Sequence, residues 1–190
     1  MWTLFKTDYR DVSDAALMQA IVRRQERAFA ELYDRYSRPM HRYFFRMLGR
    51  DATRADDFTQ ELFLKIIEKP HLYDPGRPFR TWLYALATNM CKNEYRRKKP
   101  VDSDEMETDD VPVSDFLLSE SLDRQHFEIC LRAAIDALGD THRQCFVLRY
   151  QEELSVAEIA AILQCPEGTV KSRLHYALQK VSGRLTVFKD

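Results

Sequence analysis

From Asp14 to Leu48 apolar residues recur at helical spacing, first Leu17, Ala20 and Ile21, then Phe29, Leu32, Tyr33 and Tyr36. No stretch alternates apolar and polar positions for long enough to predict a strand, so the pattern predicts an all-α fold. The same period governs ADDFTQELFLKIIEK, residues 55–69. Projected at about 100 degrees per residue, Phe58, Leu62, Phe63 and Ile66 turn inward, while Asp57, Gln60, Glu61, Leu64 and Glu68 turn outward. A leucine ringed by carboxylates suits the docking of a basic partner helix. It is equally a solvated acidic face with one ordinary surface leucine.

In PFRTWLYALATNMCKNEYRRKK, residues 78–99, Trp82, Leu86, Asn89, Asn93 and Arg96 follow spacings of four, three, four and three, which places them on one helical stripe. Aromatic, amide and cationic groups in alternation suit unstacked single-stranded bases, which offer a ring face and exposed edges. Trp82 and Leu86 alone would read as core. Asn89 and Asn93 resist that reading, because buried amides need partners.

Near the carboxy terminus, Ser155 to Glu158 forms an S-x-x-E capping box before an apolar run of Ile159, Ile162 and Leu163. This helix is expected to end near Gln164, and Pro166 suits the first turn of the next one. On the second helix, projection turns Val170, Leu174, Ala177, Leu178, Val181 and Leu185 inward and Lys171, Ser172, His175, Tyr176 and Gln179 outward. Two short helices joined by a tight turn, with hydrogen-bonding groups near the start of the second, predict a helix-turn-helix that presents those groups to DNA. The alternative is a structural hairpin with a solvated polar face.

Charge divides the chain where the periodicity does. Of the 190 residues, 1–100 carry a net charge of +7, 101–128 carry -9 and 129–190 carry +1, which hides a basic front half inside a formal total of -1. The stretch VDSDEMETDDVPVSDFLLSESLD contains no Lys or Arg and reads as an acidic flexible linker. The expected organisation is therefore two small helical bundles: an amino-terminal domain over 13–100, a linker over 101–123, and a helix-turn-helix domain over 124–186.

Other chemistries find little support. Cys91, Cys130, Cys145 and Cys165 form no CxxC pair, which predicts reduced thiols in a cytoplasmic protein. His126 and Cys130 sit four apart but lack two further ligands at metal spacing, so no metal is expected. With five glycines and no phosphate-binding loop or nucleophile–base motif, neither an enzyme nor a cofactor or small-molecule substrate is expected. No apolar run reaches membrane-spanning length, and MWTLFKTDYRDVSD lacks the order of a secretory signal, so no membrane insertion is expected.

Four segments in order, AFAELYDRY, DDFTQELFLK, FRTWLYALATNMCKNEYRRKK and LSVAEIAAILQCPEGTVKSRLHYALQKV, resemble the extracytoplasmic-function group of the bacterial sigma-70 family, the two-domain initiation subunits of RNA polymerase. The resemblance covers about residues 13–100 and 124–186 and implies promoter recognition, promoter melting and transcription initiation. It implies that Asp57, Gln60, Glu61 and Leu64 contact the clamp coiled coil of core polymerase. The Tyr73–Arg80 loop and the helix after it would melt and read the minus-ten element, with Arg80, Trp82, Asn89, Asn93, Arg96 and Arg97 contributing. Thr169, Lys171, Ser172, Arg173, His175 and Tyr176 would meet the minus-thirty-five element, the linker would thread a basic channel of the polymerase, and an anti-sigma factor would hold the protein inactive. Tyr176 stands where the family often has arginine, which removes a bidentate guanine contact. A free-standing helix-turn-helix regulator is the competing reading, and it predicts tight duplex binding without polymerase.

Overall fold

The computed structural model describes residues 8–98 and 120–185, all of whose regular elements are helical. Four helices precede the undescribed segment: α1 (Asp14–Val22), α2 (Glu26–Met47), α3 (Ala52–Glu68) and α4 (Phe79–Lys98), with a short 3-10 turn at Pro70–Leu72. Four follow it: α5 (Glu120–Asp136), α6 (Asp140–Tyr150), α7 (Val156–Leu163) and α8 (Glu167–Arg184). By its internal contacts the chain divides into two units, Met1–Asn93 and Glu94–Asp190. Helix α5 begins at Glu120, inside the stretch read as linker, and residues 101–119 of that stretch lie outside the described residues.

In the first unit the inward stripes of α1 to α4 meet. Leu17 and Met18, Leu32, Met40, Tyr43 and Phe44, Leu62 and Ile66, and Leu83 and Tyr84 are all almost fully buried. Within this apolar interior Tyr43 Oη and Thr88 Oγ1 satisfy each other at 2.8 Å. Capping sets the helix starts: the Ser13 side chain accepts from the Ala16 amide and the Asp51 side chain from the Arg54 amide.

A strap, Tyr9–Asp14, is tied to α2 chiefly by one side chain. The Arg35 guanidinium donates to the carbonyls of Tyr9 (2.9 Å), Arg10 (2.9 Å) and Val12 (2.8 Å), to Asp14 Oδ1 (2.9 Å) and to Glu31 Oε1 (2.8 Å). All of the guanidinium nitrogens are engaged, which satisfies carbonyls that no regular element would serve.

In the second unit Ala134, Ile135, Leu138, Phe146, Ala177 and Val181 build the core between α5, α6 and α8. The capping box at α7 is present in full: the Glu158 amide donates to Ser155 Oγ (3.2 Å) and the Ser155 amide to Glu158 Oε2 (2.8 Å). Helix α7 ends where expected, at Gln164, and Pro166 caps α8 just ahead of its first residue.

The helix-turn-helix turn depends on Gln164 at φ 54°, ψ 46°, the left-handed region, where a residue with a Cβ costs on the order of 1 kcal/mol. Gln164→Gly relieves that cost and gives back part of it through the entropy of the unfolded chain. The expected net gain is about 0.5 kcal/mol, read as a rise in the urea midpoint of the full-length chain with an unchanged slope. A fall in the midpoint would show that the Gln164 side chain stabilises the turn.

Candidate functional site

Helix α3 presents the first surface. Leu62, Phe63 and Ile66 are buried and Phe58 is half-buried edge-on to Phe44, while Asp57, Gln60, Glu61, Leu64 and Glu68 are exposed, as the projection has it. Leu64 is 55% exposed, and Ile67, one turn further on, is 46% exposed. The two make a small apolar patch flanked by acids. Glu61 Oε1 holds Lys65 at 2.9 Å along the helix, an exposed pair of little energetic weight. Beside this face, α2 and α3 enclose an open groove of 340 Å³ lined by Tyr33, Ser37, Arg38, His41, Arg42, Asp56, Thr59 and Gln60. His41 Nε2 meets Asp56 Oδ1 across it at 3.2 Å. Sequence reasoning missed the α2 wall, because single-helix periodicity does not say which helices lie side by side.

The second surface lies at the start of α4 and along its length. Trp82 is half-buried, with Tyr73 and Phe79 packed on it at ring-centroid distances of 5.4 and 5.7 Å. The loop before α4 is closed by its own groups. The Gly76 amide donates to Asp74 Oδ1 (2.9 Å) and the Tyr73 hydroxyl to the Arg77 carbonyl (2.8 Å). Arg80 is exposed, with its guanidinium carbon 5.7 Å from the Tyr84 ring centroid. Asn89, Asn93, Arg96 and Arg97 are exposed, and Arg97 reaches back to Glu94 at 2.5 Å. Exposure of both amides removes the difficulty of a buried asparagine, and partial burial of Trp82 supports one of its ring faces.

On α8, Lys171, Ser172 and His175 are exposed and Thr169 and Arg173 are half-buried. Ser172 Oγ donates to the Thr169 carbonyl (3.0 Å), and Arg173 Nη1 lies 3.9 Å from Cys165 Sγ. Two residues depart from the projection. Leu178, expected inward, is 43% exposed. It sits about 70 degrees from the centre of the buried arc of Val170, Leu174, Ala177 and Val181, at the rim rather than the middle. Tyr176, expected outward, is half-buried, with the His142 ring of α6 packed against it at a centroid distance of 4.4 Å and tilted by 38°. Lys180 Nζ lies 5.5 Å from the Tyr176 ring centroid, so this position presents a covered, cation-flanked ring.

These surfaces fall within the two segments that match known family models, Sigma-70 region 2 over residues 32–101 and Sigma-70 region 4 over residues 128–181. The chain is 33% identical to the ECF RNA polymerase sigma factor SigW of Bacillus subtilis, across 78% of this chain and 83% of that one. It is 35% identical to the ECF RNA polymerase sigma factor SigL of Mycobacterium tuberculosis, across 93% of this chain and 94% of that one. Among solved structures, the sigma factor RpoE in complex with the anti-sigma factor NepR from Bartonella quintana aligns with a TM-score of 0.62 at 18% identity, over 84% of this chain and 97% of that chain, a likeness of fold. Near-complete alignment to such relatives, with both regions matched in order, makes this chain a member of the extracytoplasmic-function group of the sigma-70 family of RNA polymerase sigma factors.

Proposed function

We propose a division of labour among the three surfaces of this sigma factor, which directs transcription initiation by RNA polymerase. Asp57, Gln60, Glu61 and Leu64 on α3 dock on the clamp coiled coil of core polymerase. Trp82, Asn89 and Asn93, with Arg80, Arg96 and Arg97, open the minus-ten element and hold its unstacked bases. Helix α8 enters the major groove at the minus-thirty-five element, with Lys171, Ser172 and His175 outermost and Thr169, Arg173 and Tyr176 behind them. The 101–119 segment threads a basic channel of the polymerase, and an anti-sigma factor holds the protein in reserve. The protein acts in the cytoplasm and catalyses nothing itself. None of the helices among the described residues is long and apolar enough to cross a membrane.

The observation that supports this reading best is the exposure of Asn89 and Asn93 on the helix that carries the half-buried Trp82. At about 100 degrees per residue both amides project within about 20 degrees of Trp82 along α4, and exposed amides on the same stripe as a ring match the chemistry of unstacked single-stranded bases. Run-off transcription with core polymerase on promoter fragments tests the whole assignment: protein-dependent transcripts support it, and their absence together with no core binding overturns it.

Residues 129–190 carry a net charge of only +1, so the helix-turn-helix gains little duplex affinity from counterion release. It borrows affinity from the polymerase that holds it at the promoter. Lys171→Ala in the holoenzyme is expected to weaken promoter binding several-fold and to reduce the salt slope by about one. An unchanged slope would place Lys171 off the phosphates.

A further inference from the structure

A chain of ring contacts joins the amino-terminal strap to Trp82. The Tyr36 hydroxyl donates to Asp14 Oδ2 at 2.5 Å, while Asp14 Oδ1 accepts from Arg35 at 2.9 Å, so both carboxylate oxygens are engaged. The Tyr36 ring meets Phe79 edge-on at 5.2 Å, and Phe79 in turn contacts Trp82 at 5.7 Å and Tyr73 at 5.4 Å. Phe79 and Tyr73 are only 4% and 6% exposed, so Trp82 rests on two buried rings, and Tyr36 backs one of them.

We infer that Tyr36 is a positioning residue for the promoter-opening surface, using its bond to Asp14 to hold Phe79 and, through it, Trp82. A phenylalanine would fill the same volume at position 36, so the hydroxyl adds little to packing. What it adds is orientation: a charge-assisted bond to a carboxylate that is itself held by Arg35 sets the angle of the ring. Burial, and then the bond to Asp14, push the Tyr36 hydroxyl well above the ordinary phenol range, which keeps it a donor at every working pH. The strap Tyr9–Asp14 thereby belongs functionally to the promoter-reading unit, acting through Tyr36.

The inference rests on the role proposed for Trp82, and the test separates the two. Full-length protein carrying Trp2→Phe, so that Trp82 is the sole tryptophan, is compared with its Tyr36→Phe, Trp82→Ala and doubly substituted versions. Promoter opening is followed by the fluorescence of a 2-aminopurine in the minus-ten element. Tyr36→Phe is expected to slow opening about fivefold, the scale of one lost hydrogen bond, with core affinity unchanged and Trp82 more readily quenched by acrylamide. In the Trp82→Ala background the same substitution is expected to change nothing further. An equal slowing in both backgrounds, or no slowing in either, overturns the inference. Opening at the normal rate by Trp82→Ala alone overturns the role of Trp82, and is recognised from that single variant.

Discussion

Asp57→Lys combined with Glu61→Lys is expected to remove core-polymerase binding to below detection in a pull-down that captures the unaltered protein, and with it all sigma-dependent transcription. Both side chains are exposed on α3 beside Leu64 and Ile67. Their contribution to the fold is therefore small: the Glu61–Lys65 pair at 2.9 Å is a surface pair, worth less than about 1 kcal/mol. Across a desolvated interface the balance differs, since a reversed charge loses its partner and gains a repulsion. At a cost of roughly 2 kcal/mol for each site, the double reversal weakens binding by roughly a thousandfold. Leu64→Ala is the complementary test, because it leaves the charges in place and removes the apolar anchor, at an expected cost of about tenfold. If the double reversal leaves core affinity intact while a thermal melt shows a folded protein, α3 is only a solvated acidic face and the polymerase must dock elsewhere.

How far the sequence discloses this organisation depends on whether a residue's environment is set by its own helix or by its neighbours. Within α3 the period alone separates the buried Leu62, Phe63 and Ile66 from the exposed Asp57, Gln60, Glu61 and Leu64. Tyr176 shows where that logic stops. Its position on α8 is polar-facing, but His142 arrives from α6 to cover it, a contact that no projection of α8 contains. Helix boundaries divide in the same way. The α7 start is written in Ser155 and Glu158, whereas the break between α1 and α2 and the turn ahead of α7 run through Arg24 at φ 59° and Glu153 at φ 57°, residues that carry no turn signal. Conversely Pro39, a nominal breaker, lies inside α2 without ending it. The Arg35 strap was equally illegible, because its carbonyl partners are backbone atoms whose positions follow only from the packed fold.

Asn89→Ala together with Asn93→Ala is expected to lower run-off transcription from a fully duplex promoter by about 100-fold while leaving core binding unchanged. Each amide, if it bonds the edge of an unstacked base, contributes on the order of 1 to 2 kcal/mol. Because both are exposed in the free protein, their removal creates no cavity and no unpaired buried group, and stability should move by less than about 0.5 kcal/mol. Loss of transcription from this variant therefore reports contact with DNA. Trp82→Ala is a harder variant to read, since it also strips Tyr73 and Phe79 of a packing partner. A template already melted across the minus-ten element resolves it. A residue that lowers the cost of opening becomes dispensable on that template, whereas one that holds bases after they unstack remains necessary. On this division the melted template should restore much of the activity of Trp82→Ala and little of that of the asparagine pair. Full activity of the asparagine variant on duplex DNA would remove α4 from base recognition, leaving its Arg80, Arg96 and Arg97 as contacts to phosphate alone.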